Sequence, residues 1–158
     1  MIITFSNELV LNILKYIENN LYTQITISNL VNDFHYNKDY MMRLFKREIG
    51  VTIFEYINKK RIYHSLFSYS SNNSITKISI LFGFSSLEYY SEIFKKYMGV
   101  SPNKYRLYVM IGKKVSLEDI TIIRSHIASL NSFIHKVDDY QKNILSPMPY
   151  KSLSIFKK

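Results

Sequence analysis

Leu44-Phe45-Lys46-Arg47-Glu48-Ile49-Gly50-Val51-Thr52, followed by Tyr56, returns 49 residues later as Ile93-Phe94-Lys95-Lys96-Tyr97-Met98-Gly99-Val100-Ser101, followed by Tyr105. The echo reaches upstream at an offset of 48, where Thr26-Ile27-Ser28, Leu30, Phe34 and Tyr36 are answered by Ser74-Ile75-Thr76, Ile78, Phe82 and Phe84. The offset changes by one residue inside the turn. A repeat of this length is one supersecondary unit used twice. Each copy reads as a short helix, a tight turn, a second helix bearing exposed cations and a glycine stop. That pattern is a tandem helix-turn-helix.

Working outward, Leu9, Val10, Ile13, Leu14 and Ile17 recur at helical intervals and predict a leading helix over about 7–20, with Leu21 plugging the core after it. Thr26 is a suitable N-cap for a helix whose inward residues are Ile27, Leu30, Val31 and Phe34. After the turn at His35-Tyr36-Asn37, Asn37 can cap a second helix with Met41, Leu44 and Phe45 inward. Lys38, Asp39, Met42, Arg43 and Lys46 then face outward, and Gly50 ends the helix because it takes the left-handed conformation at little cost.

Thr52 restarts a longer spacer helix through about Ser70, with Phe54, Ile57, Ile62, Leu66 and Phe67 as apolar contacts and a Lys59-Lys60-Arg61 run. Ser70-Ser71-Asn72-Asn73-Ser74 reads as a linker, and Ser74 caps the second copy, in which Gly83 stands at the turn position of His35. The second outward helix is expected over about Ser86 to Met98, stopped by Gly99, and Ser101-Pro102 opens a last helix of the repeat with proline at N1. From Ser116, the residues Ile120, Ile123, Ile127, Leu130, Ile134, Val137 and Ile144 fall on steps of three and four, interrupted by Gln141, and predict one long amphipathic helix. Ser146-Pro147 and Pro149 mark its end, before a basic tail from Lys151 to Lys158.

The expected fold class is therefore all-α: two helix-turn-helix subdomains joined by a long spacer helix, then a C-terminal amphipathic helix. The expected domain division is 1–108 for the tandem unit (about 7–50, 52–70 and 74–108) and 109–158 for a helical extension. With 47% hydrophobic residues and 24 tyrosines and phenylalanines, the 158-residue chain has ample material for a core. Four glycines and three prolines are too few for the turns of a sandwich or barrel. The absence of cysteine excludes disulfides, thiolate metal sites and thiol nucleophiles. No apolar run reaches the roughly 18 to 20 residues of a membrane span, and the start lacks a signal-peptide layout. The expected location is the cytoplasm, with no membrane partner.

The net charge of +9 is shared as +5 over residues 1–106 and +4 over 107–158, so both parts favour a polyanion. No Ser/His/Asp arrangement, phosphate loop or metal-ligand spacing is present. His64, His126 and His135 lack partners at metal-ligand spacing. An enzyme is not expected, and no cofactor.

Ile75, Ile78, Gly83-Phe84-Ser85, Tyr89-Tyr90, Phe94-Lys95-Lys96, Gly99, Ser101-Pro102 and Tyr105-Arg106 give the residues from about Leu9 to Tyr108 a close resemblance to the DNA-binding domain of AraC/XylS transcriptional regulators. The resemblance implies two recognition helices in successive major-groove segments on one face of double-stranded DNA. It also implies a site read without a dimer, and a regulator that recruits or blocks RNA polymerase, activation being the commoner mode. By resemblance, the base-facing positions are Lys38, Asp39, Met42 and Arg43 in the first helix, with Lys46 and the Asn37 cap near phosphates. In the second they are Ser86, Glu88, Ser91 and Glu92, after Ser85 at the motif's turn and with Lys95 near phosphate.

Two departures stand out. Many such proteins carry Arg where this chain has Glu92, and Glu88 lies one turn before it. These acids either accept from cytosine amino groups or, with Glu92 paired to Lys96 at i,i+4, weaken DNA contact by this half. His35 replaces the usual glycine of the first turn. For Arg61, a phosphate contact and a solvated face are equally open. The phenylalanines and tyrosines of both helices keep the inward interval and are expected in the core. The stripe of the last helix, about 117–145, has two open fates: folding back on the repeat, or forming a homodimer. The second fate supports an alternative function, a protein-interaction module that sequesters another regulator.

Overall fold

The computed structural model describes residues 5–110 and 114–145. Eight α-helices follow in chain order: α1 (Phe5–Asn20), α2 (Ile27–Phe34), α3 (Lys38–Ile49), α4 (Ile53–Ser65), α5 (Ile75–Leu81), α6 (Leu87–Met98), α7 (Pro102–Val109) and α8 (Leu117–Leu145). Strands are absent among the described residues, and the all-α expectation holds. Basic tail, Ser146-Pro147 and Pro149 lie outside the described residues.

The caps explain where the helices begin. Thr26 and Thr52 each form a reciprocal capping box, with Asn29 and Glu55 respectively. Asn37, Ser74, Ser86 and Ser101 accept from backbone N–H groups of the first turns of α3, α5, α6 and α7. Gly50 and Gly99 end α3 and α6 at φ of 92° and 74°, the same left-handed stop in both repeats. His35 and Gly83 sit in the two turns, and both have positive φ, at 57° and 82°.

Two hydrophobic clusters follow the repeat. The first gathers Leu9, Ile13 and Ile17 of α1 with Leu30, Met41, Phe45 and Ile57. The second gathers Ile62, Tyr69, Ile78, Tyr90, Phe94, Met98 and Tyr105. Inside the second, the hydroxyls of Tyr69 and Tyr90 meet at 2.7 Å, and Ser65 lies 3.1 Å from Tyr90 Oη, so these buried polar tips are satisfied. Burial pushes Tyr105 up to about 12, and Tyr69 higher still; both phenols stay neutral.

Two expectations about the spacer need correction. The spacer helix does not run to Ser70. Ser65 Oγ donates to Ile62 O at 2.8 Å and α4 tightens into a 3-10 turn over Leu66–Ser68. The register shifts accordingly: Phe67, expected as an apolar contact, is 72% exposed while Tyr69 is 1% exposed.

The long helix α8 does not stand apart. Ile123 and Leu130 are buried in the second cluster and Val137 in the first, with Ile134 and Ile144 also buried. Ile120 and Ile127 are half-buried. Of the two fates open to the stripe, folding back is the one observed. That packing removes most of the apolar surface on which a homodimer through this helix would rest.

Candidate nucleic-acid interface

α3 and α6 hold the residues of interest because each helix has one apolar face sunk in its own cluster. In α3, Met41, Leu44 and Phe45 are buried, which leaves Lys38, Asp39, Arg43 and Lys46 exposed, along with the capping Asn37. In α6, Tyr90, Ile93, Phe94 and Met98 are buried. Ser85, Glu88, Glu92 and Lys95 are then exposed, and Ser86 and Ser91 are half-buried. Ser86 is the N-cap, its side chain accepting from Tyr89 N at 3.1 Å, so its hydroxyl is already engaged by the backbone. Arg43 Nε donates to Asp39 O at 3.3 Å, folding that guanidinium back along its helix.

Met42, expected outward, is half-buried and leans on the first cluster. Its three flexible bonds let the thioether fold inward rather than point at solvent.

Arg61 corrects the sequence reading outright. It is 7% exposed, with Nε donating to Leu21 O and Nη2 to Thr23 O, each at 2.7 Å. Its guanidinium carbon lies 5.7 Å from the Phe84 ring. Desolvation lowers its pKa. This side chain ties the loop after α1 to the spacer and to the second repeat's turn, and it is not presented to a phosphate. Its neighbour Lys60 is also turned inward, onto Glu18. Burial opposes the Lys60 charge, but Tyr56 and Glu18 together hold its pKa above the usual lysine value.

Glu92 and Lys96 form no ion pair; the ion pairs among the described residues are Arg47–Glu48, Lys60–Glu18 and Lys104–Asp119. Glu55, at the start of α4, feels Lys96 of α6 and Lys46 of α3. The Thr52 backbone N–H is the largest cause of its lowered pKa, and both cations add to it.

The core expectation for the tyrosines of the two helices holds for Tyr90 and fails for Tyr40, which is 39% exposed at the start of α3 and stacks on Tyr36 of the preceding turn, 42% exposed, at 5.9 Å between centroids. Tyr89 is 39% exposed at the start of α6, its hydroxyl accepting from Asn58 Nδ2 at 2.9 Å. A signal existed for Tyr40: it lies three and seven residues before Arg43 and Arg47, on their face of the helix. Those three residues and Leu44 line one shallow cavity.

Among the described residues no group of three or more His, Cys, Asp or Glu could hold a metal ion, and no helix is long and apolar enough to cross a membrane.

Comparison with known proteins agrees with this geometry. A family model described as a helix-turn-helix domain matches residues 30–107. The chain is 29% identical over 104 residues to the HTH-type transcriptional activator AarP of Providencia stuartii, covering 65% of this chain and 77% of that one. It is 32% identical over 103 residues to an uncharacterized response regulatory protein of Staphylococcus epidermidis, of which it spans 41%. The solved C-terminal domain of AraT, a response regulator from Geobacillus stearothermophilus, superposes with a TM-score of 0.63 at 26% identity, over 72% of this chain and 96% of that domain. With its two capped, glycine-stopped helices in matching registers, the chain belongs to the family of AraC-type helix-turn-helix domains.

Proposed function

We propose that this protein is a sequence-specific regulator of transcription that binds double-stranded DNA, with α3 and α6 entering successive major-groove segments. The observation that carries the reading is the matched design of these helices. Each has an N-cap, a polar exposed face, a buried aromatic face and a left-handed glycine stop. A major groove admits one helix, and two helices about one helical turn apart read an asymmetric site without a second copy of the protein.

In this reading Arg43, Lys38 and Asp39 face base edges, while Lys46, Lys95 and the Asn37 cap lie at phosphates. Ser85, Ser86, Glu88, Ser91 and Glu92 complete the contacting set, with Met42 packed behind it against the first cluster. Arg61 acts from behind, as a brace. Bound at its site in the cytoplasm, the protein recruits or blocks RNA polymerase, with activation the working mode. The protein-interaction alternative loses its main support, because the α8 stripe is occupied within the chain.

The test is a footprint on the DNA flanking the gene. Protection of about two helical turns, roughly 20 base pairs, is expected. Arg43→Ala should weaken it by about 1–3 kcal/mol, roughly 5- to 150-fold, at the contacted base. Absence of sequence-dependent protection at any salt concentration would refute the reading.

A further inference from the structure

The helix-turn-helix match ends at residue 107, whereas α8 begins at Leu117. Its 29 residues make a rod about 44 Å long, and this rod reaches the C-terminal end of each groove-reading helix. On α6, a Cβ at Gly99 would sit 2.5 Å from Ile122 Cγ2 and 2.8 Å from His126 Cε1, so α8 rests directly on that stop. On α3, Phe133 and Tyr140 face Glu48 and Gly50 across a cavity of about 300 Å³. Tyr140 Oη donates to Glu48 Oε2 at 3.5 Å and accepts from Asn7 Nδ2 at 3.2 Å.

Between these ends α8 is fastened to the spacer. Asn131 Oδ1 accepts from Tyr63 Oη at 3.0 Å. The Lys59 ammonium of α4 lies 4.5 Å from the Phe133 ring centroid and 5.5 Å from that of Tyr97 in α6. Ion pairing of Asp119 with Lys104 at 3.3 Å adds α7. Apart from α8, the two subdomains are joined by α4 and by the small contact of Tyr22 with Phe82 and Gly83, about which they could still pivot. With Val137 seated in one core and Ile123 and Leu130 in the other, a pivot requires α8 to leave one of them, exposing apolar surface.

We propose that α8 is a positioning element that fixes the distance and angle between α3 and α6, so that the protein selects DNA sites by the spacing of their two halves as well as by their bases. The proposal rests on the reading of α3 and α6 as groove-reading helices. Each base pair inserted between the halves carries the second one about 3.4 Å along the duplex and turns it by about 34°. Hinged subdomains follow that displacement. Braced subdomains can follow it only by distorting the DNA or abandoning one half.

A site selected from random duplex DNA serves as the probe, with one, two or three base pairs inserted between its halves. The full chain and Phe133→Ala/Val137→Ala are titrated against this series. The unaltered chain is expected to weaken roughly ten-fold or more at the first insertion. The double variant should bind the parent site within about three-fold of the unaltered chain, and lose less than about three-fold at that insertion. Parallel profiles for the two proteins, or a flat profile for the unaltered chain, overturn the proposal. Failure to select any sequence overturns the regulator reading instead. A second measurement does not need the variant to fold. The chain has no cysteine, so Arg47→Cys with Lys96→Cys places one spin label on α3 and one on α6. A single narrow distance without DNA supports the brace; a broad distribution overturns it.

Discussion

His35 and Gly83 hold the same step of the two repeats and share a positive φ, yet only one is glycine. Their surroundings explain the difference. A Cβ at Gly83 would lie 2.9 Å from the carbonyl carbon and oxygen of Tyr22, whereas His35 is exposed. A side chain at 35 therefore costs local backbone strain without a clash, on the order of 1 kcal/mol. His35→Gly should stabilise the protein by up to about 1 kcal/mol, less the entropy glycine adds to the unfolded chain. The readout is a higher urea midpoint at unchanged slope, and a midpoint that stays put or falls contradicts this account. Arg61 teaches the complementary lesson. Arg61→Ala should cost about 2–3 kcal/mol, because it strands the Leu21 and Thr23 carbonyls. The salt slope of DNA binding should not change, whereas a phosphate contact would reduce it by about one. Three consecutive cations point to three sides of a helix, so the run Lys59-Lys60-Arg61 could not reveal from sequence which of them turns inward.

At the scale of elements, α3 and α6 share geometry and differ in charge. The exposed cations of α3 outnumber its acids, while in α6 Lys95 and Lys96 are balanced by Glu88 and Glu92. Glu92 makes no ion pair with Lys96, so that cation does not hold it back from whatever α6 approaches. Glu92→Gln separates the two open roles when titrated against selected and unrelated duplexes. Tighter binding to both, each by about 1 kcal/mol or less, identifies plain repulsion. A gain on unrelated DNA with a loss of about 1–3 kcal/mol on the selected site identifies cytosine readout. Helix positions and caps were legible because the interval of apolar residues and the N-cap chemistry act over one or two turns. The 3-10 break after Ser65 was not, since it answers to the burial of Tyr69 against Phe94 and Tyr105, residues of helices far along the chain.

For the molecule as a whole, His64 links the parts in a pH-dependent way. Its Nδ1 lies 2.6 Å from Tyr22 Oη, joining the loop after α1 to the spacer. Burial lowers its pKa and the charge of Lys60 lowers it further, while Glu18 acts in the opposite direction. A folded-state pKa below the unfolded 6.5 means that the unfolded chain binds the proton first. The stability is therefore complete above about pH 6.5 and is lost as pH falls through the window beneath it, toward the lowered value. Between pH 7.5 and 5.5 the melting temperature should fall, and His64→Gln should show a smaller fall over the same interval. An equal fall in both proteins would remove His64 as the cause.

The sequence by itself determined the repeat, most of the helices, their caps and glycine stops, and the exposed cations of α3 and α6, because each is set by neighbours within a few residues. It also supplied the long apolar stripe from Ile120 to Ile144. Tertiary structure alone decided that this stripe lies across both repeats, that Arg61 and Lys60 are buried, and that Tyr36, Tyr40 and Tyr89 stay at the surface. Those outcomes turn on which faces of α4 and α8 meet other helices, and periodicity states how wide an apolar face is without naming what covers it.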